Sequence, residues 1–535
     1  MPSETVHRAI PSKSPYKNWP NDAAFEASTT SPIPTELKIT GKFPLSLAGT
    51  LYRTGPAHYK LDTPSGQYAR SHWFDGFSQI HRFEIIPDEE RGCCRVVYTS
   101  RSQVDELLEE GRKGGNIDKY ITFGQKRDPC MSFFEKVKAT FLPADATKEK
   151  DRPGLSNVGV TVRPNMPGLP GSTITALSDS NQIQYLDLET LEPIGVTTQK
   201  GLHPELKGAL SCAHAGYDPE TGDLYNFNLD FGRSPTYRVF RTSAKTAKTE
   251  IIATISSGVK AAYIHSFFLS GDFVILCIWP LYFTGYGASV LWERNIIDAL
   301  KFDPNAEAKW FVVDRNKGRG HVATFTSPAF FSFHTVNAYQ EENEDGTVDV
   351  YCDIMQFADD ALLRRLYYEN ILSTGQGTPV YDAGKPILVR YKLSAIPRDG
   401  KKKEAAVATI IKGIEGAGEL PTINPRYATK RQRYVYGIVD RGYSSFVDGL
   451  SKTDIETGEI TYWGQEPKPH TPGEAIFVPD GIGGGEDAGY LLSVVLDGET
   501  DTSYLVCLSA RDMTEVARAE CDHAIGMGLH GVHWT

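Results

Sequence analysis

The chain has 535 residues, of which 40% are hydrophobic and 23% are charged, and its 67 acidic and 56 basic side chains give a formal net charge of −11. This composition excludes a disordered or collagen-like chain, and the acidic excess argues against nucleic-acid binding through phosphate neutralisation. The length allows two or three ordinary domains or one large closed all-β domain.

The N-terminal segment is polar and rich in proline. Residues 1–26 carry four prolines and lack the apolar stretch of a secretory signal. We predict a polar extension over residues 1–30, followed by one domain over residues 31–535. The eight cysteines include no C-x-x-C pair and are too sparse for a disulfide framework. A cytoplasmic protein with reduced thiols is therefore expected.

Short runs rich in Val, Ile, Thr, Tyr and Phe, separated by turn residues, recur along the whole chain. Three of the turns share an Asp-x-Glu-Thr sequence that begins at Asp187, Asp218 and Asp454, and these side chains are expected to accept backbone N–H groups. Many short antiparallel strands without alternating helices favour a β-propeller or a large sandwich. Helical patterns cover only residues 104–112, 132–141 and 358–368, which we place as caps on one face.

Residues 273–292 form an uncharged stretch of 20 residues, FVILCIWPLYFTGYGASVLW, which is long enough to span a membrane. Pro280, Gly285 and Gly287 weaken a lipid-exposed helix, and residues 273–278 are typical of a buried strand. The aromatic and aliphatic side chains over residues 281–300 instead predict a patch that makes peripheral contact with a membrane surface. The charged run at 398–404 predicts a solvated hairpin tip.

Four of the 13 histidines stand beside strand-like apolar runs, namely His214, His265, His334 and His530. Their separations of 51, 69 and 196 residues exclude a metal site of the H-E-x-x-H type on one helix. They are compatible with a site on a propeller axis, to which the inner strands of several blades each bring one side chain. Taken singly, each is more typical of a hydrogen-bonded core histidine than of a metal ligand.

Several segments together resemble the carotenoid cleavage oxygenase family, and in motifs they are closest to the fungal torulene and carotenoid oxygenases and the animal β-carotene oxygenases. These segments are SHWFDGFSQIHRFEI (71–85), DPCMSFFEKVKATF (128–141), AHAGYDPETGDLYN, IHSFFLSGDFVIL, FSFHTVNAY, ELPTINPRYATKRQRYVYG (419–437), GEAIFVPD (473–480) and GLHGVHW. The resemblance implies an all-β fold, a seven-bladed β-propeller with a helical and loop cap over one face. It also implies an Fe(II) ion held by His214, His265, His334 and His530. His533 competes for the fourth place, but the GLHG setting favours His530.

The resemblance further implies that Asp179, Glu419 and Glu474 orient ligand histidines through their carboxylates. Asp179 departs from the family pattern, in which a glutamate is usual at this position. Its shorter side chain reaches a histidine only if the backbone is closer or a water intervenes. His72 and His81 in the HWFDG segment are interpreted as structural.

The implied reaction is oxidative cleavage, in which O₂ adds across an electron-rich C=C bond that breaks into two carbonyl products. Ser178 occupies a position where stilbene-cleaving members commonly have lysine, which favours a carotenoid or apocarotenoid as the substrate. Aromatic and small side chains near the metal motifs are candidates for a substrate tunnel, namely Phe74, Ser178, Phe267, Phe331 and Phe333. Three alternatives stay open: cleavage of a stilbene or phenylpropanoid alkene, redox-neutral isomerisation with ester cleavage, and a non-catalytic propeller scaffold.

Overall fold

The computed structural model describes residues 19–114, 117, 120–126, 152–376, 384–398, 403–464 and 468–535. The predicted helix over residues 132–141, the motif at 128–141 and most of the charged run at 398–404 lie outside the described residues.

Seven of the described sheets have four or more strands, and they form the blades of a β-propeller, as predicted. Blade 1 contains Thr35–Glu36, Gly49–His58, Phe77–Asp88, Cys93–Ser102 and His530–Trp534. Blade 2 contains Thr161–Pro164, Thr173–Leu177, Gln182–Asp187 and Pro193–Thr198. Blade 3 contains Gly216–Tyr217, Leu224–Asp230, Thr236–Thr242 and Thr249–Ile255. Blade 4 contains Phe268–Leu269, Phe273–Ile278, Ala308–Asp314, His321–Ser327 and Lys403–Val407.

The remaining three blades follow in chain order. Blade 5 contains Thr335–Glu342, Val348–Gln356, Ile387–Ile396 and Thr409–Glu415. Blade 6 contains Glu419–Thr422, Tyr434–Val439, Gly449–Asp454 and Ile460–Trp463. Blade 7 contains Lys38–Gly41, His470–Pro472, Ile476–Pro479, Gly489–Asp497, Thr502–Ser509 and Glu515–Glu520. Two hairpins lie outside the blades, and their strands are Lys60–Thr63 with Gly66–Ala69 and Leu281–Phe283 with Leu300–Phe302.

Strands that are distant in sequence close the ring of blades. Lys38–Gly41 pairs with Glu515–Glu520 in blade 7, and His530–Trp534 pairs antiparallel with Gly49–His58 in blade 1. Closure by hydrogen bonding removes the open edge that an incomplete ring would expose. It also places His530 directly opposite Thr54 on the neighbouring strand.

The Asp-x-Glu-Thr turns have the predicted geometry. In the turn at Asp218, the Oδ1 atom accepts the backbone N–H groups of Glu220 at 2.8 Å and Thr221 at 2.7 Å. Asp187 and Asp454 make the equivalent pair of bonds in their own turns. The local sequence therefore specifies these hairpin tips.

The strand Phe273–Ile278 is buried along its whole length in the interior of blade 4, as predicted from its uncharged sequence. Because both faces of this strand are covered, the stretch needs no lipid to bury its apolar side chains. Among the described residues, no helix is long and apolar enough to cross a membrane.

Short helices connect the blades and cover the propeller. The longest helix among the described residues, Asp105–Gly114, matches the pattern predicted at 104–112 and carries acidic residues in its first turn and basic residues in its last turn, which suits the helix dipole. The pattern at 358–368 forms two shorter helices, Ala361–Arg365 and Tyr368–Ile371. Two more helices, Ala288–Glu293 and Ile296–Ala299, lie in the segment predicted to contact a membrane. The 3₁₀ helices are Asp22–Ala24, Leu45–Leu47, Trp73–Asp75, Pro153–Leu155, Gln199–Gly201, Thr284–Gly287 and Pro425–Tyr427.

Residues 19–30, which belong to the predicted polar extension, contribute to the packed body of the protein. Phe25 is 1% exposed, and its ring lies 6.3 Å from the ring of Trp73 and 5.6 Å from that of Phe446. Asn21 is fully buried and its Nδ2 donates to the carbonyl of Ile371 at 2.9 Å. The average polarity of the segment concealed the few side chains that anchor it.

Candidate metal centre

Four blades each bring one histidine to a common point. His214, His265 and His334 precede the first strands of blades 3, 4 and 5, and His530 begins the last strand of blade 1. Their potential ligand nitrogens all lie within 4.8 Å of one another. The ring centroid of His214 is 4.3 Å from that of His530, 4.8 Å from that of His265 and 4.9 Å from that of His334. The structure therefore brings together the four histidines that the sequence singled out.

The other three blades supply the carboxylates. Asp179 follows the strand Thr173–Leu177 of blade 2, Glu419 begins the first strand of blade 6, and Glu474 lies between two short strands of blade 7. All seven blades thus contribute a polar side chain to this centre, although their positions in sequence span more than three hundred residues.

Each carboxylate accepts a hydrogen bond from the Nδ1 atom of one histidine. The distances are 2.8 Å from His265 to Asp179 Oδ2, 2.5 Å from His334 to Glu419 Oε2 and 2.8 Å from His530 to Glu474 Oε1. Such bonds fix the tautomer and the orientation of a ring. Asp179 reaches its histidine directly, despite being shorter than the usual glutamate.

The rings are mostly buried. Burial, reinforced by the neighbouring imidazoles, lowers the pKa of His214 well below its usual range. Burial also lowers the pKa of His530, against the opposing effect of Glu474. Both rings are therefore neutral near pH 7, which is the form that binds metals.

The arrangement of donors fits a divalent cation. A neutral ring that donates from Nδ1 carries a lone pair on Nε2, and the Nε2 atom of His530 lies 3.3 Å from that of His334 and 3.0 Å from that of His214. Facing lone pairs repel one another, whereas a cation attracts them all. Two nitrogens about 2.1 Å from one ion and at right angles to each other are roughly 3.0 Å apart. The spacing of the rings thus suits a metal bound by imidazoles alone.

His533 of the GLHGVHW motif and His72 of the HWFDG segment have structural hydrogen-bond partners. The Nε2 atom of His533 lies 3.0 Å from the carbonyl oxygen of Leu47, so this ring is not at the centre. His72 accepts the N–H of Phe74 at 3.2 Å and donates from Nε2 to the carbonyl of Leu363 at 2.9 Å. Burial lowers the pKa of His72 to about 3.

Sequence reasoning missed one residue of this centre, Tyr263. Its hydroxyl donates to Asp179 Oδ2 at 2.6 Å, and the side chain is buried and lines the adjacent cavity. Its position two residues before His265 is the one signal in the sequence, because alternate residues of an extended segment can share a face.

A cavity of about 920 Å³ adjoins the histidines, and its wall includes His265, His334 and His530. Of the predicted tunnel residues, Phe74, Ser178 and Phe333 line this cavity. Phe267 and Phe331 are not among its lining residues. They are 7% and 0% exposed, respectively, and belong to the packed hydrophobic core. Closeness to a histidine in sequence does not determine where a side chain points.

The segment predicted to contact a membrane forms an exposed part of the cavity wall. Tyr286 and Leu291 both line it, and they are 66% and 44% exposed, respectively. Phe231, Phe283 and Ile296 continue the apolar lining behind them. The wall therefore offers a largely apolar route from the surface to the imidazoles.

Comparison with known proteins assigns the chain to a family. A family model described as retinal pigment epithelial membrane protein matches residues 24–535. The chain belongs to the carotenoid cleavage oxygenase family. Most members of this family are iron-dependent, non-haem dioxygenases, so the predicted enzyme class is confirmed.

Curated members of the carotenoid cleavage oxygenase family align over almost the whole chain. A carotenoid dioxygenase of Neurospora crassa is 42% identical, with 97% of this chain and 91% of the relative covered. A torulene dioxygenase of Gibberella fujikuroi is 41% identical, with 97% and 94% covered. A solved variant of the apocarotenoid oxygenase of Synechocystis matches with a TM-score of 0.74 at 22% identity, covering 97% of this chain and 99% of that one, which supports the fold.

Proposed function

We propose that the chain is an Fe(II)-dependent dioxygenase that cleaves a C=C double bond of a carotenoid or apocarotenoid, a torulene-like polyene, into two carbonyl products. The observation that carries this proposal is a cluster of four imidazoles, three of which lie in the wall of a large, mainly apolar cavity. The fungal relatives named as carotenoid and torulene dioxygenases support the same substrate class.

In this proposal His214, His265, His334 and His530 hold the iron through their Nε2 atoms. Asp179, Glu419 and Glu474 keep three of the rings in the required tautomer, and their negative charge offsets a cation that four neutral ligands leave uncompensated. Iron, when bound, supplies the chemistry that makes O₂ reactive toward a double bond.

The protein's own contribution is to position the substrate and to exclude water. The two oxygen atoms of O₂ end in the two carbonyl groups, and the electrons come from the double bond that breaks, so no external reductant is required. Phe333 lies beside the imidazoles, with its ring centroid 5.3 Å from that of His265, and Phe74 packs edge-on against Phe333 at 5.7 Å in the same cavity wall. We infer that these rings stack on the conjugated chain and hold one bond at the metal.

Two observations favour a polyene over a stilbene. A cavity of about 920 Å³ is at the upper end of the range for small-molecule sites, and a compact stilbene would leave much of it unfilled. Ser178 is a small residue whose Oγ lies 3.0 Å from that of Ser180, so this position offers no ammonium group for a phenol.

A membrane is the natural source of such a substrate, and we propose a cytoplasmic enzyme that makes peripheral contact with a membrane surface. The cavity opening at Tyr286 and Leu291 would face the lipid, because exposed aromatic and aliphatic side chains partition into the interfacial region. A polyene could then pass from lipid to the cavity without crossing water.

The deciding experiment offers the iron-loaded chain a mixed panel of carotenoids, apocarotenoids and stilbenes under air, with products identified by mass spectrometry. We expect aldehydes or ketones from a polyene, together with uptake of one O₂ per bond cleaved. Aldehydes from resveratrol alone would favour the stilbene alternative. Product without O₂ uptake would favour isomerisation with ester cleavage, and no product with any substrate would favour a scaffold.

A further inference from the structure

Asp179 makes more contacts than the other two carboxylates of the centre. Glu419 accepts the N–H of the His334 ring and the backbone N–H of Leu420. Glu474 accepts the N–H of the His530 ring and the backbone N–H of Gly531. Asp179 accepts from His265, from the backbone N–H of Ala213 at 3.0 Å and from the hydroxyl of Tyr263 at 2.6 Å. Among these three carboxylates, Asp179 is the one that the structure pairs with a tyrosine hydroxyl.

The backbone around Asp179 explains how a short side chain reaches the ring. Its carbonyl accepts the N–H of Ser211 at 2.9 Å, and the N–H of Asn181 donates to the carbonyl of Ala209 at 3.0 Å. An isolated bridge joins Ser180 to Leu210 between these two bonds. The segment 179–181 is therefore fastened to the segment 209–213, which leads directly into His214.

Asp179 thus connects two proposed metal ligands that lie on different blades. Its Oδ1 atom holds the backbone at Ala213, next to His214, and both its oxygens accept from the ring of His265. A rotation of this carboxylate about its Cβ–Cγ bond would break the contact to Ala213 and turn the acceptor away from His265.

Tyr263 is well placed to prevent that rotation. It is 2% exposed, and its ring packs edge-on against the rings of Phe123 at 5.6 Å and Phe333 at 6.3 Å. Its backbone N–H donates to the carbonyl of Leu281 at 2.9 Å. Because these contacts hold the ring in place, its hydroxyl oxygen stays within hydrogen-bond distance of Asp179 Oδ2.

We propose that Tyr263 is a positioning residue, whose hydroxyl locks Asp179 between the segments of His214 and His265 and so presets two of the four metal ligands. The inference rests on the proposed function, because it concerns the same iron site. It adds a residue that acts through Asp179 and has no contact with the metal.

The test compares Tyr263→Phe with Tyr237→Phe, a matched control. Tyr237 is also fully buried, and its hydroxyl donates to the carbonyl of Lys260 at 2.8 Å and accepts the N–H of Ala262 at 2.9 Å, close to the same segment. Both variants lose one buried hydroxyl, but only Tyr263→Phe frees Asp179. The readouts are Co²⁺ affinity against a competing chelator, the visible absorption bands of bound Co²⁺, and the thermal midpoint of the metal-free protein.

We expect Tyr263→Phe to weaken Co²⁺ binding roughly tenfold and to change its absorption bands, in line with the effect of removing an outer partner of a metal ligand. Tyr237→Phe should lower the thermal midpoint of the metal-free protein without either change. In an Asp179→Ala background, the added Tyr263→Phe change should have little further effect on affinity, because the two residues act as one unit.

The inference is overturned if Tyr263→Phe binds Co²⁺ like the unmodified chain, if Tyr237→Phe loses as much affinity, or if the loss persists in the Asp179→Ala background. Failure of the proposed function is distinguishable from these outcomes. In that case the unmodified chain itself would bind neither Co²⁺ nor Fe²⁺ at the four imidazoles.

Discussion

Replacing Glu474 with glutamine tests the proposed role of the carboxylates with the least change in shape. Glu474 is 7% exposed and has two acceptor oxygens, of which Oε1 binds Nδ1 of His530 and Oε2 binds the N–H of Gly531, both at 2.8 Å. A glutamine offers one oxygen and one NH₂ group to the same two donors. Either the His530 ring N–H or the Gly531 backbone N–H must therefore face the NH₂ group of the glutamine, which is itself a donor.

Either orientation of the amide has a cost. If NH₂ faces Gly531, a buried backbone N–H is left without an acceptor, at about 1–3 kcal/mol. If NH₂ faces His530, the ring must adopt the other tautomer, and its Nε2 then carries a proton and cannot bind a metal. We expect Fe(II) affinity to fall roughly 10–100-fold, which is about 1.4–2.8 kcal/mol and agrees with the cost of the unpaired donor.

The assay is anaerobic titration of metal-free protein with Fe(II) in the presence of a competing chelator, followed by turnover of the preferred polyene. Glu415→Gln is a matched control, because Glu415 is an exposed residue in the outer strand of blade 5. An unchanged dissociation constant and unchanged turnover in Glu474→Gln would refute the assignment of this carboxylate.

Three further predictions concern a ligand, a buried histidine and the cavity opening. His334→Ala should abolish Fe(II) binding and cleavage while leaving the circular dichroism spectrum intact, and retained turnover would exclude His334 as a ligand. The pKa of His72 is lowered from 6.5 to about 3 in the folded state, so the unfolded chain binds more protons between these values and stability falls as pH drops from 6.5 toward 3. At pH 4.5, two units below 6.5, the loss of stability amounts to about 2.7 kcal/mol. The variant His72→Asn can still accept the N–H of Phe74, and its stability should not show this pH dependence when thermal midpoints at pH 6.5 and pH 4.5 are compared. An identical drop of the midpoint in both proteins would contradict the prediction. Leu291→Glu should reduce co-sedimentation with lipid vesicles severalfold, whereas Val407→Glu, at a position 69% exposed in blade 4, should not; equal binding by both variants would argue against a membrane-facing opening.

Local sequence was a reliable guide wherever the interaction itself is local. The Asp-x-Glu-Thr turns are set by a side chain that binds the backbone two and three residues later, and the buried strand Phe273–Ile278 follows from its uncharged run. Local sequence does not reveal how residues 19–30 pack. Phe25 is anchored by rings from distant parts of the chain, Trp73 and Phe446, and no window around residue 25 contains them.

The candidate site was predictable to the extent that motifs marked it. Each motif identified a histidine or an acidic residue, but it did not identify the side chain to which that residue is hydrogen-bonded. Tyr263 had no motif of its own, because its role depends on Asp179, which lies 84 residues earlier in the chain. Phe331 and Phe333 both belong to the hydrophobic core and are close to His334, yet Phe333 lines the cavity and Phe331 does not.

The amino-acid sequence alone determined the strand-rich architecture, the hairpin tips and which histidines and acidic residues are proposed for the site, because these depend on composition, on contacts within a few residues and on recognisable motifs. Tertiary structure decided which nitrogen faces which carboxylate, how Asp179 reaches His265 and which aromatic rings line the cavity. Those outcomes depend on the closure of seven blades around one axis, which brings together residues that the linear chain keeps hundreds of positions apart.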